Sequence, residues 1–361
     1  MTHPKVKRVI VGLSGGVDSS IAALLLQKQG FQVEGLFMKN WQEDDNDSHC
    51  PATQDLMDAQ KVCEILRIPL HTINFSNQYW DNVFEHALAE YRLGRTPNPD
   101  ILCNREIKFK TFLDYAIDLG ADYIATGHYA AISENENTFQ LHKAKDLNKD
   151  QSYFLYTLNQ TALSKTLFPI AHLEKPFVRK LAAEAGFPNC DKKDSTGLCF
   201  IGERKFKNFL NTYLPTQKGN METPDGKIIG THDGLMFYTL GQRQGLGIGG
   251  RQNGENAPWY VVGKDLARNV LIVAEGDNHP LLYAHTLTAN QLHWVGGSAP
   301  QTHFRCTAKI RYRQTEESAT VEMLNTETCV VTFENPQRAI TPGQSVVFYE
   351  ESICLGGGII Q

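Results

Sequence analysis

The sequence has no apolar run near the roughly 18 residues that a membrane helix needs. Its opening, Met1 to Arg8, is too polar for a secretory signal. A cytoplasmic protein that makes no membrane contact is the expectation. Eight cysteines stand at 50, 63, 103, 190, 199, 306, 329 and 354, yet there is no CxxC pair. Zinc ribbons and thioredoxin-type redox motifs are therefore unsupported, and in a reducing compartment most of these residues stay reduced. There is also no surplus of positive charge. A formal charge of -5 argues against a wholly basic nucleic-acid coat, though not against local basic patches. No internal repeat or low-complexity tract is evident. What remains is a globular composition, 41% hydrophobic over 361 residues, too long for one ordinary core. Two or three domains are expected.

The most informative stretch is Leu13-Ser14-Gly15-Gly16-Val17-Asp18-Ser19-Ser20. Before it, Val9 to Leu13 reads as a strand buried on both faces. After it, Ser19 to Gln29 has apolar residues at helical spacing, with Asp18 as an N-cap and Gly30 as the stop. In a strand–loop–helix, Gly15 and Gly16 let the backbone approach an anion, Ser14 and Ser19 offer hydroxyls, and the helix dipole points its positive end at the same place. A di- or triphosphate fits such a cradle. No lysine follows the glycines and GxGxxG spacing is absent, so neither common nucleotide motif applies. An ordinary tight βα turn uses the same residue types.

Strands are expected at Phe31 to Met38, Leu70 to Phe75 and Tyr123 to Thr126, and helices at Thr53 to Leu66, Trp80 to Tyr91 and Phe109 to Leu119. The alternation predicts a parallel α/β sheet wound by helices on both faces, with Gly127-His128-Tyr129 at its carboxyl edge, where ligands bind. Thr96 to Asn104 holds two prolines and reads as a shaped loop. Ser164 to Leu214 is mostly helical, and the acidic Glu43 to Asp47 reads as a solvated loop. Gly226 to Gly263 suggests a small irregular β domain, and short strands beyond Leu282 a barrel or sandwich. The predicted class is α/β, divided as 1–208, 209–280 and 281–361.

Cys103 and Cys199 both stand in polar loops, Cys199 with Lys192, Lys193 and Arg204 nearby to favour a thiolate. They form a candidate redox pair, with two unrelated cysteines as the alternative. In Thr302 to Arg313, Arg305, Lys309, Arg311 and Arg313 alternate with Cys306, Ala308, Ile310 and Tyr312, which predicts one cationic strand face. Either a solvated barrel face or an RNA-backbone contact accounts for it.

Ser14 to Ser19 resembles the Ser-Gly-Gly-x-Asp-Ser signature of the ATP-pyrophosphatase (PP-loop) superfamily, whose nucleotide domain is of the adenine nucleotide alpha hydrolase type. Gly12 to Ser19, Arg95 to Asn104, Ala125 to Tyr129, Asn148 to Phe154, Asp194 to Gly202 and Tyr238 to Arg243 together resemble the bacterial tRNA-specific 2-thiouridylase family, a match that continues to Leu355-Gly356-Gly357-Gly358. The resemblance implies that ATP binds along Gly12, Leu13, Ser14, Gly15, Gly16, Val17, Asp18 and Ser19, with Met38 near the adenine and a further contact at Gly127. The protein alone holds no metal, and Asp18 is the candidate ligand for a Mg2+ that arrives with ATP. The implied partners are tRNA, through an anticodon stem-loop with a wobble uridine, and a sulfur-relay or cysteine desulfurase donor, acting on a monomer.

The implied activity is adenylation of that uridine and its conversion to 2-thiouridine. Cys199 is implied as the persulfide carrier and Cys103 as the nucleophile, the two forming a transient disulfide. Asn98, Pro99 and Asp100 would shape the pocket of a flipped base, with Asp100 handling a proton or serving only as a turn residue. Further tRNA contacts are implied at His128, Lys149, Asp150, Gln151, Arg311, Tyr312 and Gln344. His128 also reads as a packed histidine.

Overall fold

A computed structural model describes residues 6–41, 51–194, 206–248 and 257–361. Five parallel strands form the first sheet, in the order Leu70–Asn74, Gln32–Lys39, Arg8–Gly12, Tyr123–Ala125, Thr166–Leu167. Arg8–Gly12 is central, as its β-branched run predicts. Ile10 faces one core layer while Val9 and Val11 face the other, the period of two expected of a strand. Helices Val17–Lys28, Pro51–Leu66 and Lys175–Glu184 cover the second layer. The helical stretch 76–118 covers the first.

Two local expectations give way. Gly16, not Asp18, is the N-cap of Val17–Lys28, and Asp18 lies in the first helical turn. Prolines 97 and 99 do not keep Thr96 to Asn104 out of a helix. Pro99 occupies the first position of a short helix, Pro99–Leu102, where its missing N–H costs nothing. A π-helical run, Cys103–Thr111, continues it into Phe112–Asp118.

A four-stranded sheet, in the order Trp259–Asp265, Val270–Glu275, Gly219–Glu222, Ile228–His232, packs its own small core around Val261, Leu271 and Val273. Beyond it, six antiparallel strands run Tyr283–Trp294, Cys329–Arg338, Glu317–Met323, His303–Lys309, Ser345–Glu350, Ile353–Ile360. Pairing of the first with the last closes them into a barrel. A hairpin from the first part of the chain, Ala130–Asn135 with Thr138–Lys143, adds to the outer edge of Ile353–Ile360. The two ends of the protein thus share one sheet. Tyr153 and Tyr156 reinforce the join, donating to the Ser345 carbonyl at 2.9 Å and meeting its hydroxyl at 3.1 Å.

The expected cationic face on Thr302 to Arg313 does not form. The strand ends at Lys309, so Arg311 and Arg313 lie in the following turn. Lys309 is itself nearly buried, 3.5 Å from Glu316, which also pairs with Lys143 at 2.6 Å. The balancing carboxylate, Glu316, comes from just beyond Arg313.

Candidate functional site

The glycine loop sits at the carboxyl edge of the parallel sheet, between the central strand and its helix. Its shape is fixed by its own hydroxyls and by residues from far along the chain. Ser19 Oγ donates to the Gly16 carbonyl at 3.1 Å and lies 3.4 Å from Ser14 Oγ. The Asn189 side-chain amide and Lys192 Nζ both donate to the Gly15 carbonyl, at 3.0 and 3.2 Å. That engages the outward carbonyl. Gly15 has φ +72°, and a Cβ there would lie 2.3 Å from the Asp55 carbonyl oxygen. Gly127 enters from the next strand, and a Cβ on it would stand 2.5 Å from the backbone N of Ser19. Met38, one residue before the end of the neighbouring strand, lies beside Gly12. All ten nucleotide-contact positions read from the sequence therefore meet at one edge.

Lys192 pairs with Asp55 at 2.7 Å and Asp58 at 2.6 Å. Burial works against its charge, but those hydrogen bonds raise its pKa. Asp18 is engaged too. Lys175 Nζ lies 2.8 and 2.6 Å from its two carboxylate oxygens, and the Tyr129 hydroxyl donates to it at 3.0 Å. Burial first, then the Asp18 charge, push the Tyr129 phenol far above its ordinary value and keep it a donor. Lys175 also reaches Asp194 at 2.6 Å, and Asp194 takes Lys149 at 2.6 Å and Arg179 at 3.2 Å. Sequence reasoning missed Lys175. One signal was there, because a cation at the first position of a helix opposes the helix dipole and needs another reason to be present.

Asn98 is the N-cap of the Pro99–Leu102 helix, Pro99 is buried, and Asp100 is half-buried in its first turn. Burial, then the Asp100 charge, raise the pKa of the buried Tyr91 phenol beside it. Cys103 follows at the start of the π-helical run, a geometry common at functional sites. It is not in an exposed loop. Its exposure is 0%, within a core shared with Ile107, Phe109 and Phe112, because the helical turn begun at Pro99 points it inward. Cys199 and the stretch 195–205 around it lie outside the described residues.

Of the positions read as tRNA contacts, Lys149, Asp150, Gln151, Arg311, Tyr312 and Gln344 gather along the seam between the first part of the chain and the barrel, while His128 stays within the first part. Tyr312 donates to the Lys149 carbonyl at 3.4 Å and packs on Phe154 with centroids 4.4 Å apart. Burial, then Asp150, push its phenol up to about 12. Gln151 is locked to Tyr129 through both backbone and side chain. Asp150 turns inward, accepting from the Ala144 and Ser152 amides and from the Ser152 hydroxyl, and burial raises its pKa. Arg311 donates to the Leu240 and Ala339 carbonyls at 3.0 Å, joining the central sheet to the barrel. Gln344 donates to the Thr96 carbonyl. His128 packs against Phe109 and Phe168 and bonds Thr126 at 2.7 Å. Burial, then Lys108, keep it neutral.

Among the described residues no helix is long and apolar enough to cross a membrane, and no cluster of three or more His, Cys, Asp or Glu could hold a metal.

Residues 7–203 match the tRNA methyl transferase HUP domain family, 207–275 the tRNA methyl transferase PRC-barrel domain, and 284–360 the aminomethyltransferase beta-barrel domain. The tRNA-specific 2-thiouridylase MnmA of Methylococcus capsulatus is 60% identical over 354 residues, 98% of this chain and 95% of its own. The protein of the same name from Psychromonas ingrahamii is 59% identical over 362 residues, 100% and 99% of the two chains. That of Nitrosococcus oceani is 60% identical over 360 residues, 100% and 97% of the two.

Proposed function

The chain belongs to the tRNA-specific 2-thiouridylase family, and from that premise we propose how its residues carry the reaction. The activity is ATP-dependent thiolation of C2 of the wobble uridine in tRNA. The observation that carries this reading is the identity of about three residues in five with 2-thiouridylases from end to end of the chain.

The glycine loop holds ATP with its α phosphate towards the uridine. Ser14, Ser19 and the first-turn amides face the phosphates, and Met38 and Gly127 line the nucleoside side. Gly15 and Gly127 are required as glycines by the chain itself, because a Cβ on either would strike the backbone of Asp55 or of Asp18 and Ser19, which brings the loop and the Gly127 turn together at the edge where the nucleotide would sit. Asp18 would hold Mg2+ on the pyrophosphate through one carboxylate oxygen, giving up one of its two contacts with Lys175, and the ion would offset charge on the leaving group. O2 of the uridine attacks the α phosphate, pyrophosphate leaves, and the base is left carrying AMP on that oxygen. Asn98 and Pro99 shape the base pocket, and Asp100 takes up the proton released as the base reacts.

Cys199 carries a persulfide received from a donor protein. Its terminal sulfur attacks C2 and AMP departs. Cys103 thiolate then attacks the Cys199 sulfur, so the sulfur–sulfur bond breaks, 2-thiouridine leaves and a Cys103–Cys199 disulfide forms. Alternatively Cys103 frees hydrosulfide first, which attacks C2 itself. Either route ends in a disulfide that an external thiol must reduce by two electrons. Lys149, Asp150, Gln151, His128, Arg311, Tyr312 and Gln344 form the tRNA-facing seam, Asp150 chiefly by holding the turn between its neighbours. The enzyme works as a cytoplasmic monomer.

The test is nucleoside mass spectrometry of tRNA incubated with the protein, ATP, Mg2+ and a persulfide donor. 2-Thiouridine should form with the native protein and not with Cys199→Ser, while AMP release persists in that variant. Asp18→Ala should abolish AMP release. Thiolation at the native rate by Cys199→Ser would remove the persulfide assignment.

A further inference from the structure

Three cations converge on a single carboxylate beside the glycine loop. Lys175 and Arg179, one turn apart on the same helix, reach Asp194 Oδ1 at 2.6 and 3.2 Å, and Lys149 reaches Oδ2 at 2.6 Å. Their placement is not a loose surface cluster. Lys175 is 9% exposed and simultaneously pairs with Asp18, Arg179 is anchored by the Cys190 carbonyl at 2.8 Å, and the Lys149 carbonyl accepts from Tyr312. Asp146, the other carboxylate at this point, binds the Lys175 and Asn148 backbone amides. Asp194 itself is about one third exposed and sits at the open side.

Three donors of this kind around one point are the arrangement that recognises a phosphoryl group, with Arg supplying a planar fork and Lys point charges. We propose that Lys149, Lys175 and Arg179 form a phosphoryl-binding cradle that the Asp194 carboxylate plugs. The cradle also supplies the lysine absent from the glycine loop's own sequence. Lys175 lies at hydrogen-bond distance from Asp18, so the cradle continues the phosphate site rather than forming a separate one. Burial alone would raise the Asp194 carboxyl, but hydrogen bonds from Lys149 and Lys175 outweigh it and keep the plug ionised. The incoming phosphoryl oxygens replace the carboxylate on the same three donors. They belong either to the pyrophosphate end of ATP or to the RNA backbone.

The proposal rests on the reading of this protein as a nucleotide-using tRNA enzyme. Its test needs no turnover, so its failure and the failure of that reading are distinguishable. Inorganic pyrophosphate is titrated by calorimetry into the native protein, Asp194→Asn, Lys149→Met and the double variant, each checked by thermal melting. The same set is titrated with tRNA over a salt series. Removing the plug should tighten anion binding about twofold to fivefold, the scale of a partly exposed ion pair. Lys149→Met should weaken binding, and the double variant should lose the gain. A gain for pyrophosphate alone assigns the cradle to the nucleotide. A gain for tRNA alone, with a salt slope steeper by ~0.7–0.9, assigns it to the RNA backbone. No gain for either ligand, or a loss for both in a normally folded Asp194→Asn, overturns the proposal. If Asp194→Asn does not fold, Lys149→Met decides: unchanged affinity for both ligands overturns it.

Discussion

Gln344 donates its side-chain amide to the carbonyl of Thr96, 2.8 Å away and 248 residues earlier in the chain. Thr96 is a three-way junction. Its amide donates to the Pro342 carbonyl of the barrel at 3.0 Å, and its hydroxyl lies 3.3 Å from that of Thr239 in the central part of the chain. Three residues later begins the helix that carries Asp100 and leads to Cys103. The barrel therefore holds the start of that helix, and with it the proposed base pocket, in place.

Gln344→Ala should cost about 1 kcal/mol of stability, the typical net worth of a lost hydrogen bond. It should raise the KM for tRNA several-fold and leave the KM for ATP unchanged, since the glycine loop is not at this junction. Steady-state kinetics with each substrate varied in turn separate the two. A rise in the ATP constant alone would show that the junction acts on the nucleotide instead.

Gly127→Ala should act in the opposite way. A methyl group there would meet the backbone of Asp18 and Ser19 at 2.5–2.6 Å, and backbone cannot swing aside as a flexible side chain can. Forcing the strand end away from the loop should cost about 1–3 kcal/mol. The expected result is an ATP KM raised tenfold or more with tRNA binding retained, measured by nucleotide titration and by filter binding. Native ATP affinity in this variant would show that the two segments do not close on the nucleotide together.

The sequence discloses what is local. Val9 to Leu13, the glycines and the following helical spacing lie within some twenty residues, so strand, loop and helix were readable together. Short strands beyond Leu282 were readable from their spacing, which suited a barrel or a sandwich alike, but the pairing of Tyr283–Trp294 with Ile353–Ile360 that closes the barrel was not. Residues defined by distant partners were not. Lys175 meets Asp18 across 157 positions, and only its place against the helix dipole hinted at a role. Lys309 read as a surface cation because its partner, Glu316, which it shares with Lys143, lies beyond Arg313. Cys103 read as a loop thiol because two prolines suggested a loop, whereas Pro99 starts a helix whose inward face includes the cysteine.

Glu34, on the second strand, makes stability depend on acid. Arg8 approaches its two oxygens at 2.6 and 2.8 Å, and His71 Nε2 lies 2.7 Å from one of them. The Arg8 hydrogen bonds, opposed by burial and aided by His71, hold the carboxyl at about 2 instead of 4.5. The folded value is below the unfolded one, so the contribution is full above pH 4.5 and is lost as pH falls towards 2. It should be on the order of 2–3 kcal/mol. The stability gap between the native protein and Glu34→Gln, followed by denaturant unfolding at successive pH values, should narrow through that window. A gap that stays constant from pH 5 to pH 2 would show that the pair does not titrate with folding.

The proposed role of Cys103 at a tRNA base requires the thiol to leave the core, yet its side chain is fully enclosed. If the thiol acts on sulfur bound for that base, tRNA must move the helix that begins at Pro99, or open it locally. Alkylation by iodoacetamide follows thiol exposure and thiolate character. In the protein alone, Cys103 should react at least about tenfold more slowly than the half-buried Cys190, a ratio that needs only ~1.4 kcal/mol of opening cost. Adding tRNA should accelerate Cys103 and leave Cys190 unchanged, both followed by peptide mass spectrometry. Equal rates without tRNA would mean the thiol is already accessible. A Cys103 rate that tRNA leaves unmoved would separate this residue from the chemistry at the base.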